Sequence, residues 1–357
     1  MRRLFLLAVF LFAPQSLHAQ DVPKYAAPAE VRASFKKLLD RPKAPLDAKI
    51  TSSKGMGDAT LLETLSFASE KKPDGSIERV PTIILRTITG KVSRKFPAVI
   101  VLHGTGGSKD SANIVKFMED LVKRNIIAVA IDARYHGGRV AKGGTNYQQA
   151  ITKAWLTKPG EPMEHPFYYD TVWDLWRLVD YLETRGDIDT KNIGMIGFSM
   201  GGIQTYLAAA ADERVKVIVP AIAVQSFRWS LENDQWKGRA GTIKQAHEQA
   251  AKDLGEAAVN QKVCRALWNK IVPGILDDYD CPSMLRLCAG RPMLILSGIK
   301  DGNCPYGGAK IAIASAERAY KDANAADRLS VLIEDVPHQV TAKQRTAALD
   351  WFDKWLK

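Results

Sequence analysis

Six short apolar runs separated by helical patterning constrain this chain more than any other feature. They are AVIVL (98–102), IIAVAI (126–131), IGMIGF (193–198), VKVIV (215–219), MLILS (293–297) and LSVLI (329–333). Each is apolar on both parities and most are rich in β-branched residues, as strands covered on both faces must be. Between them the period changes to that of a helix. Val172, Leu175, Trp176 and Val179 share one face, and so do Ala348, Trp351, Phe352 and Trp355. Such alternation predicts an α/β fold, a mostly parallel central sheet with helices on both faces. Two earlier runs, 61–67 and 79–88, flank the turn sequence KPDGS and predict a strand pair at the sheet's edge. The Pro-, Ala- and Lys-rich stretch 20–60 reads as an irregular arm.

Two gaps in the rhythm, 133–165 and 225–290, are too long for plain crossovers. Both follow strands, so they emerge at the carboxyl edge of the sheet, where open α/β folds bind ligands. They read as helical insertions forming a lid on a single domain, 20–357. The first residues read differently. Arg2 and Arg3 precede ten apolar residues, 4–13, and SLHAQD offers a cleavage point after Ala19. That pattern predicts a signal peptide, 1–19, and a secreted or periplasmic protein. No later stretch approaches the ~20 apolar residues of a membrane span, so no stable membrane insertion is expected after cleavage.

The net charge of +11 falls to +9 without Arg2 and Arg3. The excess is spread along the chain with no Lys/Arg block, which argues against a nucleic-acid partner. Export permits disulfides, and Cys264, Cys281, Cys288 and Cys304 allow three complete pairings, none favoured by the sequence. With no CxxC and no histidine at ligand spacing, no metal site and no cofactor are expected.

One motif carries chemistry. The run 193–198 ends in Gly197-Phe198-Ser199-Met200-Gly201, and a helix-forming stretch follows at once. A serine at a sharp strand-to-helix turn, flanked by residues without side chains, is a nucleophile elbow, G-x-S-x-G. A serine hydroxyl needs a base, and the base follows the serine in this architecture. Of the histidines, only His247 and His338 come later. His247 lies in a helical segment where a solvated side chain is expected. His338 follows the last predicted strand, so its loop shares the serine's edge. The acid that orients the base is best supplied by Asp301, in the loop after 293–297, ahead of Asp335, Asp277 and Asp278. Asp132 precedes the serine and is expected to anchor the loop carrying Arg134. After the first central strand comes His103-Gly104-Thr105-Gly106-Gly107, an HGGG-type loop with one threonine. Main-chain N–H groups at Thr105 and Met200 are the expected oxyanion hole. His103 is expected to order that loop. Neither phosphate-binding glycine pattern is present there.

With these four parts in order, the chain resembles the α/β-hydrolase superfamily over nearly all of 20–357. It is most similar to the dienelactone-hydrolase and prolyl-oligopeptidase-like branch that includes acetyl-xylan-type esterases. The stretches DTVWDLWRLVDYLETRGDID, GFSMGG, IAVQSFRWSLENDQW and RPMLILSGIKDGNCP carry the likeness. The resemblance implies a Ser199–Asp301–His338 triad. Two departures stand out: dienelactone hydrolases proper use a cysteine nucleophile, and the segment before Phe96 is too short for an oligopeptidase propeller.

The expected activity is cleavage of carboxylic esters through an acyl-enzyme, on a small-molecule, carbohydrate or plant-cell-wall ester. A serine exopeptidase and a non-catalytic binding protein are the alternatives. The insertions hold Tyr135, Tyr147, Trp155, Phe167, Tyr168, Trp229, Trp236 and Trp268. Such rings stack on sugars or phenolic acids, or else simply pack the lid. Arg134, Tyr135 and Trp229 are the candidate substrate-binding residues, with Arg139, Lys142 and Arg228 further candidates for an anionic group.

Overall fold

The computed structural model describes residues 23–88, 95–140 and 142–357. The expected signal peptide lies outside them. Nine strands are present: β1 Lys49–Gly55, β2 Thr60–Lys71, β3 Ile77–Thr87, β4 Phe96–Leu102, β5 Ile127–Ile131, β6 Ile188–Phe198, β7 Val215–Ala221, β8 Met293–Gly298 and β9 Leu329–Glu334. They form one sheet in the order β1-β2-β3-β5-β4-β6-β7-β8-β9. The first three strands are antiparallel and β3 pairs antiparallel with β5; from β5 to β9 every pairing is parallel. The six runs of the sequence are the six parallel strands.

Apolar residues on both parities serve two separate cores. Along β4, Ala98, Ile100 and Leu102 enter the core on one face, while Val99 and Val101 enter that on the other. The first face is covered by α1 (Pro28–Leu39), α4 (Tyr169–Glu183), α5 (Met200–Ala211) and α11 (Tyr306–Asp322). The second is covered by α2 (Ala112–Val122) and α12 (Ala342–Leu356).

The stretch 20–60 departs from expectation. It contains α1 and β1 in place of an irregular arm. Val31, Phe35 and Leu39, four residues apart, point into the core and hold α1 down, and Pro28 sits at its first turn, where proline costs no hydrogen bond. Strand β1 pairs with β2 and is exposed at all seven positions, so it is the edge and the β2–β3 pair lies one strand inside it. A strand with no buried face shows no apolar alternation, which is why the sequence hides it.

The two insertions leave the sheet after β5 and β7. The first carries α3 (Tyr147–Leu156). The second carries α6 (Phe227–Glu232), α7 (Lys237–Thr242), α8 (Lys244–Asp253), α9 (Gln261–Ile271) and α10 (Cys281–Arg286). They pack on each other. Gln148 of α3 donates to the Thr242 carbonyl at 3.1 Å, and Trp155 Nε1 donates to Asp253 at 2.8 Å. Phe167, Tyr168, Trp236 and Trp268 are buried among the insertions, so packing is their role.

Candidate active site

Ser199 closes the link between β6 and α5 at φ 55°, ψ −115°. That is the backbone of the first central residue of a type II′ turn, normally glycine, and a side chain there costs roughly 1–3 kcal/mol. The neighbouring glycines are required for space. A Cβ on Gly197 would overlap the Gly201 carbonyl, and one on Gly201 would stand 2.6 Å from the His103 carbonyl oxygen. The Ser199 N–H is tied to the Ala221 carbonyl at 2.9 Å, at the end of β7.

His338 and Asp301 come from the two outermost parallel strands. The ladder between β8 and β9 continues past their ends: Ile299 N–H donates to Glu334 at 2.8 Å and Lys300 N–H to Val336 at 3.1 Å. A Cβ on Gly298 would overlap the Val336 carbonyl, so only glycine lets the two loops meet. Asp301 is buried, with side-chain exposure of 1 %, and His338 retains 23 %. One Asp301 oxygen, Oδ1, accepts from the N–H groups of Asn303 and Cys304, each at 2.8 Å. The other, Oδ2, faces His338 Nδ1 at 2.7 Å, and His338 Nε2 faces Ser199 Oγ at 2.9 Å. With Nδ1–H donating a hydrogen bond to the Asp301 carboxylate, the ring presents the Nε2 lone pair to the serine hydroxyl.

The structure separates this trio from the alternatives. Asp335 is exposed and paired to Lys300 at 2.7 Å. Asp277 pairs with Arg228 and Asp278 accepts from Ala26 N–H. His247 is buried, contrary to the solvated side chain expected: Trp268 Nε1 donates to its Nε2 at 3.0 Å, and burial lowers its pKa to about 4. Its helical segment lies within the packed insertions, a placement that helical patterning alone does not reveal.

Opposite the serine, His103 Nδ1 donates to the Gly104 carbonyl at 2.8 Å while its Nε2 accepts from Ala133 N–H at 3.1 Å. The two bonds set the tautomer and tie the glycine loop to the end of β5. Behind it, His136 lies 5.2 Å from His103 and stacks on Tyr147 at 4.7 Å. A Cβ at Gly106 would lie 3.9 Å from the Tyr147 hydroxyl. Neither His136 nor Tyr147 was expected to support this loop. Thr105 is half-buried within it. Met200 opens α5, so its N–H has no carbonyl acceptor inside the helix.

Two of the candidate substrate-binding residues lie elsewhere. Arg134 is buried; its Nε reaches Asp174 at 2.7 Å and its Nη2 reaches Glu70 at 2.7 Å. Arg139 joins it on Asp174 at 2.6 Å. These guanidiniums hold the Asp174 carboxyl far below its ordinary range against burial. Arg134 therefore anchors the first insertion and offers nothing to a ligand. Tyr135 turns its hydroxyl onto Glu164, beside Lys72. Trp229 lies against Gly307, at the start of α11 and just beyond the Asp301 turn. Asp132 accepts from the N–H of Lys109 at 2.8 Å and of Gly138 at 2.9 Å, so it joins the glycine loop to the segment after Arg134.

All four cysteines are free and buried. Among the described residues, Asp301, Cys304 and His338 form the one group whose ligand atoms could share a metal ion, within 4.8 Å of one another. It is a poor cation site. Burial pushes the Cys304 thiol up to about 12, and the Arg239 guanidinium stands 3.1 Å from its sulfur.

This geometry has relatives. Residues 85–250 match the family model of the dienelactone hydrolase family. YtaP of Bacillus subtilis (strain 168), named as an inferred hydrolase, is 27% identical over 277 residues, covering 74% of this chain and 81% of its own. Acetyl xylan esterase 1 from a Thermoanaerobacterium species superposes with a TM-score of 0.66 at 16% identity, over 93% of this chain and 94% of its own. The chain has the α/β-hydrolase fold. The glucuronoyl esterase of Solibacter usitatus shares the α/β-hydrolase fold with a TM-score of 0.61 at 15% identity, over 94% of this chain and 99% of its own.

Proposed function

We propose that this α/β-hydrolase is an exported serine esterase acting on esters of carbohydrates. The observation that carries the chemistry is the continuous path of short contacts from Ser199 Oγ through His338 to Asp301. In the reaction, Ser199 Oγ attacks the ester carbonyl carbon and its proton passes to His338 Nε2. The oxyanion is held by the main-chain N–H groups of Met200 and Thr105; one such donor is worth ~2.7–4 kcal/mol in the transition state. Collapse breaks the bond to the alcohol, which leaves with the proton from His338. Water then attacks the acyl-enzyme by the reverse sequence and releases the acid. The substrate class is supported by the named activities of the structural neighbours, acetyl xylan and glucuronoyl esterases.

The test is turnover by purified protein of p-nitrophenyl acetate, acetylated xylo-oligosaccharides, methyl glucuronate esters and aminoacyl amides. Ester turnover, with loss of fluorophosphonate labelling in Ser199→Ala, supports the reading. A preference for amides overturns it in favour of an exopeptidase, and absence of both turnover and labelling in favour of a binding protein. Export is tested separately by the N-terminus of protein made in a bacterial host, which is expected at Gln20.

A further inference from the structure

Arg239 is the one buried arginine whose environment the proposed chemistry leaves unexplained. It is 1% exposed, and no carboxylate of the described residues forms an ion pair with it. A buried, unpaired cation is costly, by several kcal/mol, unless its surroundings hold it. One arm of the Arg239 guanidinium reaches the turn that carries the acid. Its Nη2 donates to the Asn303 carbonyl at 3.2 Å and to Cys304 Sγ at 3.1 Å. Gln225, with its amide oriented to satisfy its neighbours, accepts from Arg239 Nε at 3.3 Å and donates to the same Asn303 carbonyl at 3.3 Å. The Tyr168 hydroxyl also stands beside the guanidinium.

The turn reached in this way is the one whose N–H groups grip Asp301 Oδ1. Backbone packing reinforces the contact, since a Cβ on Gly238 would overlap the Gly302 carbonyl. Cys304 extends the connection to the nucleophile's side. Its thiol donates to the Ile222 carbonyl at 3.2 Å, one residue beyond the Ala221 carbonyl that holds Ser199 N–H. Ile222 itself has φ 46°, a rare backbone for a β-branched residue. The insertion helix α7 thus touches the acid directly through its turn and the serine's support through one thiol.

We propose that Arg239 is a positioning residue for the Ser199–His338–Asp301 relay, clamping the acid-bearing turn through its contacts with the Asn303 carbonyl and the Cys304 sulfur. The inference rests on the esterase reading above for its catalytic consequence. The groups facing His338 are Ser199, Asp301 and Cys304; those facing Arg239 are Tyr168, Cys304, Asp301 and Tyr206. Lys300 and Asp335 flank both loops but pair with each other. Loosening the turn that holds Asp301 is expected to lower kcat while leaving KM for the ester little changed.

The experiment compares wild type, Arg239→Lys and Arg239→Met by kcat and KM for p-nitrophenyl acetate and by the downfield NMR resonance of the proton between His338 and Asp301. Misplacement of the acid in Arg239→Met is expected to lower kcat ten- to a hundredfold, roughly the cost of a misaligned catalytic group, with KM little changed and the downfield resonance shifted or lost. Arg239→Lys keeps the charge but not the fork, so its kcat is expected to fall as well. Wild-type kcat with an unmoved resonance in a folded Arg239→Met, or wild-type kcat in Arg239→Lys, overturns the clamp. Should Arg239→Met fail to fold, the lysine variant decides alone. The resonance reads the His338–Asp301 contact even in a protein without turnover, so failure of the esterase reading, seen as absence of Ser199-dependent activity in wild type, is recorded separately.

Discussion

At the scale of single residues, the serine and the histidine were legible because each sits where a strand ends, and strands are what this sequence spells most clearly. Asp301 was chosen over Asp335 on order and position, and the structure separates the two by contact: one faces His338, the other a surface lysine. Asp301→Asn is expected to lower kcat about 10⁴-fold, because an amide stabilises the wrong tautomer of the base. Asp335→Asn loses an exposed ion pair worth at most about 1 kcal/mol and should keep wild-type kinetics. Steady-state rates on one activated ester decide between them. Gly197→Ala is expected to abolish activity and to destabilise by several kcal/mol, measured by urea midpoint, since its Cβ meets main chain and has nowhere to go. Arg134 was misjudged for a general reason. A sequence shows a charge but not its partners, and Glu70, Asp174 and Glu78 are 64, 40 and 56 positions away (134 − 70, 174 − 134, 134 − 78).

At the scale of elements, what joins the His338 loop to the Asp301 loop is a continued strand ladder, and what joins the Asp301 loop to the insertion is a short helix. The first was implicit in the parallel strand order; the second had no signal, because a Gly-Arg pair in a six-residue helix has no periodicity to read. The ion network around Arg134 holds the first insertion to β2 and β3. Arg134→Met leaves Asp174 buried with Arg139 as its sole remaining ion-pair partner among the described residues, which is expected to cost about 3–5 kcal/mol. KM for an ester should not change. A raised KM with unaltered stability would instead place Arg134 at the ligand. His247→Ala is expected to lower stability by about 1–3 kcal/mol, since it strips the Trp268 indole of its acceptor, while retaining most activity.

At the scale of the whole molecule, burial also sets the response to acid. His136 and His247 both titrate near 4 when folded, mainly because burial penalises their charged forms, against 6.5 when exposed. Between those values the unfolded chain takes up protons that the native chain refuses. The stability owed to these two histidines is therefore full above about pH 6.5, falls as pH drops toward 4, and shrinks by up to about 3 kcal/mol per histidine across that window. Urea midpoints at pH 7.5 and 4.5 measure the loss, and His247→Ala should flatten the slope. The parallel half of the sheet was readable end to end because both faces of each strand are apolar. The antiparallel edge was half readable, because β1 is solvated along its length.

Ser199 carries its hydroxyl on a backbone shape that suits glycine, at φ 55°. Ser199→Gly should relieve about 1 kcal/mol or more of that tension. A library ranked purely by survival of heating will consequently drift towards variants that have shed their chemistry as the scaffold hardens, so any search for a tougher catalyst here has to score turnover in the same round.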